Sequence, residues 1–125
     1  STHRSLTLRE VKDILQCEVL SGEDKLDMSV DVACGADLMS DVLAFIKPNA
    51  LLLTGLTNAQ VIRTAEMVDI KAIVFVRGKQ PTAEALELAK EKRIPLLSTK
   101  FLMYESCGQL YKAGLPGGSE LDKPT

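Results

Sequence analysis

The stretch Ala72–Leu97, AIVFVRGKQPTAEALELAKEKRIPLL, reads in order as strand, tight turn, helix and strand. Ala72–Val76 is an apolar run rich in β-branched residues, the composition of a strand covered on both faces. Arg77-Gly78-Lys79-Gln80-Pro81 carries the glycine and proline that punctuate a turn. Thr82–Arg93 has helical spacing, and Ile94–Leu97 is apolar again. This is one βαβ unit, and its two strands must run parallel because a helix crosses between them.

Working upstream, Asn58–Val68 is a predicted helix with Val61, Ile62, Ala65 and Val68 on one stripe and Arg63 and Glu66 outside it. Ala50–Thr54 is a nearly continuous apolar strand, and Gly55-Leu56-Thr57 turns the chain. Val30–Cys34 and Cys17–Leu20 are shorter strands, separated by the polar turn Ser21–Lys25. Thr7-Leu8-Arg9-Glu10 fits a capping box and starts a helix running to about Leu15. Downstream, Lys100–Ala113 is a final helix carrying Phe101, Tyr104, Leu110 and Tyr111, closed by Gly114-Leu115-Pro116. The alternation of strand and helix predicts a three-layer α/β/α fold on a mainly parallel sheet of about five strands, with right-handed crossovers.

Asp37–Ile46 is the odd helix. Leu38, Met39, Val42, Leu43, Phe45 and Ile46 put apolar residues around most of its circumference. Such a helix must be buried on more than one face. Two accounts stay open: deep burial inside one domain, or a second face that meets another subunit through Met39, Leu43, Phe45 and Ile46.

With 125 residues the chain is the size of one domain, and 46% hydrophobic residues suffice for a core. Aromatics are only 4%, so that core must be aliphatic. A net charge of −2 and a pI near 5.4 argue against a nucleic-acid surface and a basic membrane patch. No apolar run approaches a membrane span of about 18 residues, and Ser1–Ser5 lacks a signal-peptide core. Three cysteines, Cys17, Cys34 and Cys107, with no C-x-x-C spacing, fit reduced thiols in a cytoplasmic protein. Met28, Met39, Met67 and Met103 read as core filler.

In an open parallel sheet, ligands sit beyond the carboxyl ends of the strands. Three strands end beside glycine: Cys34-Gly35, Thr54-Gly55 and Arg77-Gly78. Glycine lets backbone approach a ligand, and the helix N-termini that follow suit an anion. Thr54, Thr57, Asn58, Arg77 and Lys79 add donors. The expected ligand site is therefore Gly35, Thr54, Gly55, Thr57, Asn58, Arg77, Gly78 and Lys79, for a small anionic or nucleotide-like molecule. A plainer account also stands: each glycine supplies positive φ, and Asp37 and Asn58 cap their own helices. Asp37 would repel an anion nearby.

Catalytic and metal chemistry find no residues. The one histidine, His3, lies at the N-terminus, away from any nucleophile. No metal-ligand spacing, G-x-G-x-x-G or Walker A lysine occurs, so no cofactor is expected. Glu23-Asp24 and Glu84/Glu87 read as solvated charges rather than an acid/base couple.

The stretches LLLTGLTNAQVIRTAEM and IVFVRGKQPTAEALELAKEKRIPLLSTKFLMYE resemble the DRTGG domain family, and are similar to the N-terminal domain of HPr kinase/phosphorylase. An Arg-Gly turn, a helix-starting proline and an Ile-Pro-Leu-Leu strand ending in Thr carry the likeness, which covers about Thr7 to Leu115. Where the family has an Asp-Arg pair after the third strand's glycine, this chain has Leu56-Thr57. Its Thr-Gly-Gly positions read Val76-Arg77-Gly78, retaining only Gly78. The likeness delimits one domain over 7–115, with an N-terminal extension 1–6; the polar Ser119–Thr125 makes 116–125 an expected flexible tail. The resemblance implies a non-catalytic accessory domain, homodimeric or acting with a partner that carries CBS or enzymatic modules. A purely structural interaction module is the alternative. A phosphoryl- or acyl-transfer enzyme is a third reading, lacking an identified base or nucleophile.

Overall fold

The structure, a computed structural model, describes residues 3–121. Its elements are β1 (Leu6–Thr7), α1 (Leu8–Leu15), β2 (Glu18–Ser21), a 3-10 turn (Glu23–Lys25), β3 (Ser29–Val30), β4 (Val32–Gly35), α2 (Met39–Phe45), β5 (Ala50–Thr54), α3 (Ala59–Met67), β6 (Ala72–Phe75), α4 (Ala83–Lys92), β7 (Leu96–Ser98), α5 (Met103–Lys112) and α6 (Gly118–Leu121). Five strands form one sheet in the order β2-β7-β6-β5-β4. The pairs β4–β5, β5–β6 and β6–β7 are parallel; β2 joins the edge antiparallel to β7.

The three-layer expectation follows from the pleat. Successive side chains of a strand point to opposite faces. Leu51, Leu53, Val74 and Leu97 pack with α1 and α5, while Leu52, Ile73, Phe75 and Leu96 pack with α2, α3 and α4. All five residues of β5 are buried, as a central strand requires.

The start signals worked where a side chain caps locally. Thr7 Oγ1 accepts the Glu10 N–H (3.1 Å) while Glu10 Oε1 accepts the Thr7 N–H (2.9 Å), the reciprocal capping box. The Thr7 N–H and then the Arg4 guanidinium hold the Glu10 carboxyl below its ordinary range. Asn58 and Thr82 cap α3 and α4 by a single bond each, their side chains accepting the Val61 and Ala85 N–H groups.

Four expectations change. The strand expected at Val30–Cys34 is two strands. Val30 pairs with Leu6 in a small antiparallel sheet, and Val32 onward pairs with β5. Asp31 is the switch: its N–H donates to Asn49 O (3.0 Å) and its carboxylate accepts from Ser5 Oγ (2.7 Å). The helix expected from Asp37 begins at Met39 with an uncapped Leu38, because the Asp37 side chain is engaged elsewhere. The helix expected from Lys100 begins at Met103, because Phe101 O and Thr99 O accept the N–H groups of Arg77 (2.8 Å) and Gly78 (2.8 Å). Met67 is exposed, not core.

The segments expected outside the domain also make contacts. Leu6 is buried and paired with Val30. Ala33 N–H donates to Pro116 O (3.0 Å), and Gly117 bridges Ala33 in parallel. Residues 1, 2 and 122–125 of those segments lie outside the described ones.

Deep burial of α2 within the domain is not realised. Only Val42 is fully buried; Met39 and Ile46 are half-buried against the core of that face, while Leu43 (47%) and Phe45 (70%) are exposed.

Candidate functional site

Parallel register aligns the strand ends. Gly35 lies opposite Leu53, and Thr54 opposite Phe75, so the three glycine turns share one edge of the sheet. β5 sits in the middle, and its turn is the hub.

Asp37 crosses to that hub. Its Oδ1 accepts the Gly55 N–H (2.7 Å) and the Thr54 hydroxyl (3.1 Å), while Thr54 Oγ1 accepts the Leu56 N–H (3.1 Å). Asp37 therefore ties the β4–α2 loop to the β5–α3 loop instead of capping its own helix. Asn58 does cap α3, accepting the Val61 N–H (3.4 Å). Thr57 O accepts the Thr82 N–H (3.0 Å), linking the starts of α3 and α4.

Arg77 supplies the charge. It stands at φ +63° beside Gly78 at φ +68°, and Lys79 N–H donates to Val76 O (3.2 Å). Positive φ at both central residues defines a type I′ turn, and a non-glycine residue there costs about 1–2 kcal/mol. The Arg77 guanidinium lies across Gly55: a Cβ on Gly55 would sit 3.1 Å from Arg77 Cζ and closer still to Nη2. Among the described residues no hydrogen bond or ion pair engages that guanidinium.

The plainer account of the glycines holds only at Gly78. Gly55 and Gly35 do not have positive φ. Gly55 is required by space beneath Arg77, and Gly35 by α5, whose Cys107 Sγ and Met103 Sδ would each lie 2.9 Å from an added Cβ. Of the expected ligand residues, the structure brings Thr54, Gly55, Arg77 and Gly78 together, with Thr57 and Asn58 leading into α3. Gly35 instead turns towards the sulfurs of α5. Lys79 is exposed, and Thr54 is wholly buried.

The N–H groups of Gly55, Leu56, Arg77 and Gly78 are already bonded inside the protein, so these four offer no cradle to a phosphate. Arg77 and Lys79 remain. Beside Gly78 a cavity of about 290 Å³ is lined by Gln80, Ser98, Thr99 and Lys100 and also by Glu18, so its lysine comes with a carboxylate. Sequence reasoning missed Asp37 as a cross-link and Lys100 as a neighbour of this turn; neither carries a local signal.

The thiols are not activated. Burial pushes Cys17 up to about 12, and burial likewise raises Cys34 and Cys107. Thiolate nucleophiles and metal ligands need the opposite shift. All three are free. Among the described residues, no cluster of metal-ligating side chains occurs, and no helix is long and apolar enough to cross a membrane.

The family model described as the DRTGG domain matches residues 10–112. No curated protein matches the sequence. Among solved structures, the CBS and DRTGG domains of the regulatory region of Clostridium perfringens pyrophosphatase, complexed with the activator diadenosine tetraphosphate, share this fold. The TM-score is 0.68 at 18% identity, over 87% of this chain and 47% of that one. The chain thus spans about half the length of that structure.

Proposed function

The chain belongs to the DRTGG domain family, and from that premise we propose that it is a non-catalytic regulatory module whose strand-end turns take a small anionic, nucleotide-like metabolite. The observation that carries this reading is Arg77. Its backbone is held in a costly conformation, the glycine at 55 makes room for its guanidinium, and among the described residues no ion pair engages it. Two backbone concessions for one uncompensated charge are what a binding residue needs and a solvated loop does not. The similar regulatory region was solved with a nucleotide activator, diadenosine tetraphosphate, which supports the ligand class. The exposed Lys79 and, across from Glu18 in the neighbouring cavity, Lys100 add cations near this turn, and Asp37, held by two hydrogen bonds, disfavours close approach from the β4 side.

The module dimerises through α2, where Leu43 and Phe45 stand exposed on either flank of the buried Val42, or works with a partner carrying CBS or enzymatic modules. Three free thiols suit a cytoplasmic setting. A pure interaction module is the second reading, favoured by the same exposed apolar residues.

The test is thermal denaturation with diadenosine tetraphosphate, adenine and guanine nucleotides, acetyl-CoA and sugar phosphates. A ligand at about 100 times its Kd stabilises by about 2.7 kcal/mol. A hit must vanish in Arg77→Ala and in Gly55→Val, whose side chain displaces the guanidinium. No hit across the set, with α2 substitutions breaking an assembly, moves the function to the interaction module.

A further inference from the structure

A second candidate site lies along the flank of α5, between that helix and the edge strand β4, with the core residues Leu110 and Leu115 in its lining. There a groove of about 480 Å³ runs along the helix, within the range of about 300–1,000 Å³ that small-molecule sites occupy. Tyr104, Gly108 and Tyr111, spaced four and three apart, form its helical wall; Gly35, Leu115 and Pro116 form the other.

Gly108 is in the interior of α5, where glycine is the least favourable residue after proline. Packing does not explain it: a Cβ there would meet nothing within 4 Å, and its φ is not positive. Gly108 does line the groove, so a long side chain there would enter it. Tyr104 is 87% exposed and Tyr111 57%, so two large rings flank an open floor.

The lining decides the ligand class. Its one charged residue is Glu105, joined by the amide of Gln109, and no lysine or arginine contributes. A phosphate would be repelled here, unlike at the Arg77 turn. An uncharged ring with an N–H edge would stack on tyrosine and donate to Glu105 or Gln109. Seven residues of helix separate the tyrosines by about 10 Å, too far to sandwich one ring but the length of a fused ring with a pentose.

We propose that this groove binds an uncharged planar heteroaromatic molecule of nucleoside size, stacked on Tyr104 along the open face at Gly108. The site is separate from the strand ends and does not rest on ligand binding there.

The chain contains two tyrosines and no tryptophan, so the protein labelled with 3-fluorotyrosine gives two 19F resonances, both from this groove. Adenosine is the probe. The expected result is a saturable shift of the Tyr104 resonance, unchanged in Arg77→Ala, lost in Gly108→Leu, and weaker with ATP than with adenosine. Tyr104→Ala, at an exposed position that leaves folding intact, should weaken the residual Tyr111 response by about tenfold, the worth of one ring-on-base stack. No saturable shift up to about 5 mM, a range that captures even weak complexes, overturns the proposal. So does a shift that survives Gly108→Leu, ATP binding as tightly as adenosine, or resonances that move with protein concentration alone, which would assign the face to a second copy.

Discussion

Asp37→Ala removes one acceptor from two donors at once. The Gly55 N–H loses a charged partner at 2.7 Å, and the Thr54 hydroxyl loses its acceptor at 3.1 Å. Thr54 is wholly buried, so its hydroxyl has no route to water, although its oxygen keeps the Leu56 N–H. Gly55 is buried too, but Asp37 itself is exposed, so water replaces part of the lost bond at the amide. An orphaned buried donor costs about 1–3 kcal/mol. Taking the low end for each donor gives about 2 kcal/mol in total. For a domain of this size that is about 6–10 °C in Tm. Asp37→Asn keeps an acceptor oxygen and should lose about half as much. The assay is thermal unfolding by circular dichroism, with amide exchange at Gly55 as the local readout. Faster exchange at Gly55 in Asp37→Ala, partly restored in Asp37→Asn, is expected. A Tm within about 2 °C of the parent, with Gly55 still protected, would refute the cross-link as a structural tie.

Other consequences can be checked with equal directness. Phe45→Glu changes an exposed position and should alter stability by no more than about 0.5 kcal/mol, whereas Val42→Ala, on the buried side of the same helix, should cost about 2 kcal/mol; light scattering of Phe45→Glu reports on the proposed dimer, and unfolding of that variant would show the residue to be core. Gly108→Ala should stabilise by about 0.5–1 kcal/mol, since the added methyl meets open space in a helix. Gly35→Ala should destabilise by about 1–3 kcal/mol, because two sulfurs of α5 stand 2.9 Å away; equal melting temperatures for this pair would contradict the packing of α5 on β4. Glu10 sets an acid limb. Its folded-state carboxyl lies below its ordinary value of 4.5, so its stabilisation is complete above that value and fades as pH falls through the lowered one. Glu10→Gln should flatten that limb of Tm against pH, and an unchanged limb would exclude the capping box as its source.

The sheet was legible because its central strands are covered on both faces. Ala50–Thr54 and Ala72–Val76 are apolar without alternation, a pattern that a half-solvated strand does not produce. The helices were legible where the capping group lies within a few residues of the first turn, as at Thr7, Asn58 and Thr82. They were misread where a distant group competes. Asp37 looks like a cap for the helix beside it, yet its carboxylate is drawn 18 positions along the chain to Gly55. Lys100 and Phe101 look like the first turn of α5, yet the carbonyls of Thr99 and Phe101 are taken by the Arg77–Gly78 turn. Asp31 sits between Val30 and Val32 in an unbroken apolar alternation, so nothing local marks the change of sheet partner.

The glycines carry the same lesson into the site. Gly35, Gly55 and Gly78 each follow a strand, and in sequence they are one feature repeated. In three dimensions they answer three constraints: a close approach of helix α5, the passage of a guanidinium, and a left-handed turn. An alanine at each position separates these causes. At 78 it strains the backbone whatever the space. At 55 it moves the far end of one flexible arginine and should leave stability nearly unchanged while removing charge from the hub. At 35 it must shift α5 itself. The charge of the proposed site therefore depends on Gly55 more than on the two glycines beside it, and the three substitutions, compared for stability and for ligand response together, distinguish a binding turn from a merely tight one.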